Sequence, residues 1–173
     1  MSEATFTIRA AIPSDAQALV TVMSKINRET SFLVLDEHGL ALNPDTLANN
    51  LAAIYTSDNN CLFLALLDEQ IIGMASVAAA SQARIEHVGE VGISLVKAYW
   101  GYGLGTVLLE EILQWAQASS IIRRLELKVQ CHNHRAIHLY EKMGFKTEAI
   151  LSRGAKTDQG TFLDVQLMSL LID

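Results

Sequence analysis

Three glycines alternate at Gly101, Gly103 and Gly105 in WGYGLGTVLLEEILQWAQ, residues 100–117, at the threshold of a stretch with helical periodicity. Glycine costs backbone entropy on folding, so such a run points to close approach of the backbone to something else. The first turn of that helix carries no acidic side chain to neutralise its free N–H groups and the positive end of its dipole. The chemistry this suits is anion binding, a phosphate or pyrophosphate held by backbone amides at Gly101, Tyr102, Gly103, Leu104, Gly105 and Thr106. A flexible glycine turn is the plain alternative. A Walker A loop is excluded, because Gly105-Thr106 lacks the preceding lysine. A dinucleotide fold fits poorly: VKAYW separates the glycines from the strand before them, and Glu126 falls mid-strand rather than at a tip.

The third nucleotide site is the coenzyme A pyrophosphate loop of an acyltransferase. KAYWGYGLGTVLLEEIL resembles the Q/R-x-x-G-x-G/A segment of the GNAT superfamily of acyl-CoA-dependent N-acetyltransferases. NHRAIHLYEKMGF, residues 133–145, resembles that family's second signature, an Asn, a helix carrying Leu-Tyr, then Gly-Phe. EHVGEVGISLV is similar to the H-x-x-E strand of a subgroup that includes phosphinothricin-type acetyltransferases. The likeness covers essentially the whole chain and departs clearly at Trp100, where the pattern prefers Gln or Arg.

The resemblance implies acetyl-CoA as acyl donor, with no metal, and a primary amine as acceptor, either a small molecule or a protein or peptide amino group. It implies a splay between EVGISLV and RLELKV, with the pantetheine arm pairing to the strand edge near Ile93 and Leu95. Asn133 is placed to hydrogen-bond that arm, or else to cap the following helix. Glu90 matches the Glu of the H-x-x-E pattern and is the candidate base. Its neighbours Val91, Gly92 and Ile93 suggest a part-buried carboxylate with a raised pKa. A solvated strand glutamate is the alternative, and His87 is a second candidate for support or substrate contact. Tyr140 lies seven residues past Asn133, about two helical turns, so both face one side. Its phenol is the candidate acid for the departing thiolate, against a packing role beside Leu139 and Phe145. Cys61 and Cys131 have no evident activating base, which favours direct attack in a ternary complex over an acyl-enzyme. The acceptor is expected against residues 27–43, with Glu29, Asp36 and Glu37, and the polar loop 152–160; nothing selects among amines. A non-catalytic acyl-CoA-binding or regulatory domain is the rival reading.

These groups must be positioned by a scaffold, and the pattern predicts one domain over residues 1–173. FTIRAA, CLFLALLD, IIGMASVAAA, EHVGEVGISLV, RLELKV, FKTEAIL and FLDVQLMSLLI read as strands. A helix starts from Ser14-Asp15 and runs to about Ile26; a second opens at Asp45; the third follows the glycines; a fourth closes at Gly144. In the third, Leu104, Leu108, Ile112, Trp115 and Ala116 form an apolar stripe. The fold class is mixed α/β (α+β), GNAT-like: a central, mainly antiparallel, splayed sheet with helices on both faces. The net charge of −6 argues against a nucleic-acid partner. Two distant cysteines indicate neither a disulfide framework nor a zinc site. No apolar run is long enough to span a bilayer, and the opening residues do not read as a signal peptide. The expected setting is cytoplasmic, and a homodimer is left open.

Overall fold

The computed structural model describes residues 3–30 and 43–173. Its elements run β1 (Phe6–Ala10), α1 (Ala16–Glu29), α2 (Pro44–Tyr55), β2 (Cys61–Leu67), β3 (Gln70–Ala79), β4 (Val88–Leu95) and α3 (Leu104–Ala118). They continue with β5 (Arg124–Gln130), α4 (His134–Lys142), β6 (Lys146–Lys156) and β7 (Phe162–Leu171). The described strands form one sheet in the order β1-β2-β3-β4-β5-β7-β6. Neighbours are antiparallel except β4 and β5, which run parallel.

Alternation decides which face each strand residue serves. Val77, Val91, Leu125, Leu127 and Met168 pack with Leu108, Leu109, Ile112 and Ala116 of α3. Those four α3 residues are fully buried, and each buried leucine or isoleucine contributes about 1.5–3 kcal/mol. Leu19, Val22 and Ile26 of α1 and Leu47 and Leu51 of α2 cover Leu64, Leu66 and Met74 on the other face. Helices therefore lie on both faces, as the pattern predicts.

Several local starts differ from expectation. Asp15 does not cap α1 with its side chain; it takes two hydrogen bonds from Arg9 at 2.8 Å and one from Ile12 N at 2.8 Å. This partner set holds its carboxyl below the ordinary range, the Arg9 bonds foremost. α2 is capped by Asn43, which accepts from Thr46 N at 2.7 Å, because Pro44 rather than Asp45 takes the first helical position. β6 runs on through Lys156, so most of the polar stretch 152–160 is strand, interrupted by a bulge where Arg153 has φ +57°. The β2–β3 hairpin turns on Asp68 and Glu69, both left-handed.

Candidate active site

β4 and β5 are paired only at Val88–Arg124, Gly89–Leu125 and Glu90–Glu126. Beyond Glu90, β4 keeps its β3 partners up to Leu95–Gly73, and β5 keeps β7. The two strands have parted, and each turns an unladdered backbone edge toward the gap. Buried backbone groups require partners, so this edge is suited to an amide-bearing ligand. The gap opens into a cleft of about 690 Å³, walled by the open half of β4, residues 100, 101 and 103–106, and α4.

The three glycines do three jobs. Gly101 at φ +88° and Gly103 at φ +79° take left-handed backbone that other residues resist. Gly103 caps α3 with no side-chain bond, no acid follows in the first turn, and a methyl group there would meet nothing within 4 Å. That is an open cradle of amides at a helix start, and it fits a pyrophosphate. Gly105 instead lets two helices approach: a methyl group on it would lie 3.0 Å from Leu139 Cδ2 of α4.

Of the residues singled out from the sequence, Ile93, Leu95, Gly101, Gly103, Leu104, Gly105, Thr106, Asn133 and Tyr140 line this cleft. Tyr102 does not; it is 76% exposed. Asn133 caps α4, its Oδ1 accepting from Ala136 N at 3.3 Å, which leaves its amide nitrogen free of that bond. Tyr140 is half-buried, edge-on to Phe145 at 5.8 Å between ring centres. Burial pushes its phenol up to about 12. Its hydroxyl has no hydrogen-bond partner among the described residues and borders the cleft.

Glu90 corrects an expectation. It is exposed, not part-buried, and sits where β4 and β5 part, on the sheet face opposite α3. Val91 and Ile93 surround it in sequence, yet β alternation sends them to the other face. Its register partner Glu126 accepts from Arg124 Nε at 3.0 Å, and Arg124 also grips Glu148 at 2.8 and 2.7 Å. With Ser169 donating at 2.7 Å, these contacts hold the Glu148 carboxyl at about 2, Arg124 contributing most.

His87 precedes β4 and stays outside the cleft; its carbonyl accepts from Arg123 N and Arg124 N at 3.0 and 3.1 Å. Glu29 accepts from Lys97 N at 2.8 Å and ties α1 to the turn after β4. Asp36 and Glu37 lie outside the described residues. Cys61 is buried, and desolvation raises its thiol to about 12, which disarms it as a nucleophile.

Sequence reading missed two cleft residues. Trp100 Nε1 donates to Leu95 O at 3.0 Å, and the Arg135 guanidinium stands 5.6 Å from the indole ring centre. Only the departure at Trp100 hinted at this; nothing in the periodicity of α4 marks Arg135.

A sheet split beside a glycine-led helix start suits an amide-bearing, anionic ligand, and comparison with known proteins gives the family. A model of the Acetyltransferase (GNAT) family matches residues 24–145, and the chain belongs to that family. An acetyltransferase of the GNAT family from Streptococcus pneumoniae superposes with a TM-score of 0.95 at 42% identity, over 97% of this chain and 100% of that one. YncA of Salmonella typhimurium, a putative acetyltransferase solved with its cofactor acetyl-CoA, shares the fold with a TM-score of 0.85 at 20% identity, over 98% and 95%. The L-amino acid N-acetyltransferase AaaT of Escherichia coli K12 is 26% identical over 106 residues, 61% of this chain and 65% of that protein. The chain spans about half to two thirds of the length of the curated relatives it matches.

Proposed function

We propose that the protein is an N-acetyltransferase, moving the acetyl group of acetyl-CoA to a primary amine by direct attack in a ternary complex. The observation that carries this is the wedge between β4 and β5 opening onto the uncapped, glycine-led start of α3. Acetyl-CoA, when bound, supplies an acyl group activated as a thioester.

The chain's own groups divide the remaining work. The amides of residues 101–106 bind the diphosphate, and the free β4 edge near Ile93 and Leu95 orients the pantetheine amides. Asn133 adds a donor from its amide nitrogen. Tyr140 carries its phenolic proton at neutral pH, as any tyrosine does, and burial holds it there more firmly; it is the proton donor at the thiol end of the cleft. Glu90 takes the proton of the acceptor ammonium; its exposure makes a water relay the natural route. The acceptor is a small-molecule amine or a peptide amino group, and the amino-acid acceptor in the name of the Escherichia coli relative belongs to that range. Among the described residues no helix is long and apolar enough to cross a membrane, and we place the enzyme in the cytoplasm.

Titration calorimetry with acetyl-CoA, followed by a thiol-release assay over a panel of amines, tests the reading. Binding with release on at least one amine is the expected result. Binding without release on any amine would make the chain an acyl-CoA-binding or regulatory module.

A further inference from the structure

Trp100 and Arg135 are far apart in sequence but meet at the wall of the cleft. The indole is fixed from one side by its bond to Leu95 O at 3.0 Å. The guanidinium stacks over its ring at 5.6 Å. A methyl group on Gly101 would come within 3.6 Å of an Arg135 terminal nitrogen, so the cation hangs over the first left-handed turn of the glycine loop. Among the described residues no carboxylate forms a salt bridge with Arg135. The surroundings are one-signed as well. Among the described residues the cleft is lined by Lys128, Arg135, Lys142 and three histidines and by no Asp or Glu, in a chain of net charge −6.

We propose that Arg135 is a phosphate ligand for coenzyme A and that Trp100 is its positioning residue. A carboxylate would also hold an arginine in place, but it would cancel the charge and occupy the N–H fork. An aromatic face holds the cation without doing either. The donors stay free for the bidentate grip that guanidinium gives phosphate. Where the family pattern prefers Gln or Arg, this chain has an indole, and a cation from α4 stands over its ring. The proposal rests on the reading that coenzyme A occupies this cleft.

Calorimetry with coenzyme A and with dephospho-coenzyme A, which lacks the 3′-phosphate, tests it on the wild type and five variants. Arg135→Ala is expected to weaken coenzyme A binding about tenfold, the scale of one partly exposed charged hydrogen bond. An equal loss for dephospho-coenzyme A assigns the contact to the diphosphate; a loss for coenzyme A alone assigns it to the 3′-phosphate. Arg135→Lys should recover part of the affinity, because charge survives and the fork does not. Trp100→Leu should cost roughly threefold and Trp100→Phe less, since Phe keeps an aromatic face. With Arg135→Ala already in place, Trp100→Leu should cost nothing more.

Unchanged affinity of Arg135→Ala for both ligands would overturn the proposal. So would a Trp100→Leu loss that persists when Arg135→Ala is present, because the indole would then act through loop packing. A wild-type chain that binds neither ligand would instead overturn the functional reading on which the proposal stands.

Discussion

Gly89 and Glu90 are laddered to strands on both sides, whereas residues 91–95 of the same strand are laddered on one side only. The closed end is packed to its limit. A methyl group on Gly89 would fall 2.4 Å from Val77 Cγ1, 3.3 Å from Leu125 Cδ2 and 3.4 Å from Ile122 Cδ1. At the open end, the same addition on Gly92 would meet only Ser76 Oγ, at 3.1 Å. One strand is thus a packed structural beam at one end and, in the proposed function, the ligand edge at the other.

The largest effect separating the two ends should come from Tyr140 in the open cleft. Tyr140→Phe keeps the ring against Phe145 and removes the proton, so kcat should fall by about 100-fold. Steady-state kinetics should show the KM for acetyl-CoA little changed and a melting temperature within a few degrees. A loss confined to cofactor affinity would make the hydroxyl a binding contact, and the catalytic side of the comparison would break. Next in size is Gly89→Ala at the closed end. Overpacking there should cost about 1–3 kcal/mol, read as a lower melting temperature. Gly92→Ala should leave stability nearly unchanged. If both melt alike, the two ends are not mechanically different.

Glu90→Gln probes the junction between the ends. It should lower kcat by about tenfold at neutral pH, and the deficit should shrink as pH approaches the amine's own pKa. A pH–rate profile identical to the wild type would leave deprotonation to water. The smallest effect lies beside the closed end, at Glu148. Its carboxyl is depressed from 4.5 to about 2, so its ion pair with Arg124 stabilises the fold above about pH 4.5. That contribution fades as pH falls through 2. The melting-temperature gap between wild type and Glu148→Gln should therefore be present at pH 6 and close toward pH 2; a gap independent of pH would assign the difference to packing.

Much of this was legible in the chain itself. Gly101 and Gly103 announced the cradle because left-handed backbone has few other tenants, and the α3 stripe followed from its 3.6-residue period. Gly144 at φ +99° closes α4 where the pattern put it. What stayed hidden was through-space or parity information. The exposure of Glu90 is set by which face the helices cover, and its apolar sequence neighbours point the other way. The bulge near Arg153 let β6 absorb polar residues that read as loop. The meeting of Trp100 and Arg135 depends on two elements folding against each other, which no local spacing encodes.

The parting of β4 from β5 also bears on solubility. A bare strand edge at the rim of a sheet is a template for pairing with other molecules and for aggregation. Here the bare edge is interior, with β5 standing across the gap and α4 at its side. Among the described residues β5 and α4 flank that edge, which leaves a foreign β-sheet no rim to extend. On the proposed function, a single slender chain is the visitor the gap suits, and its girth is screened before any side chain is consulted.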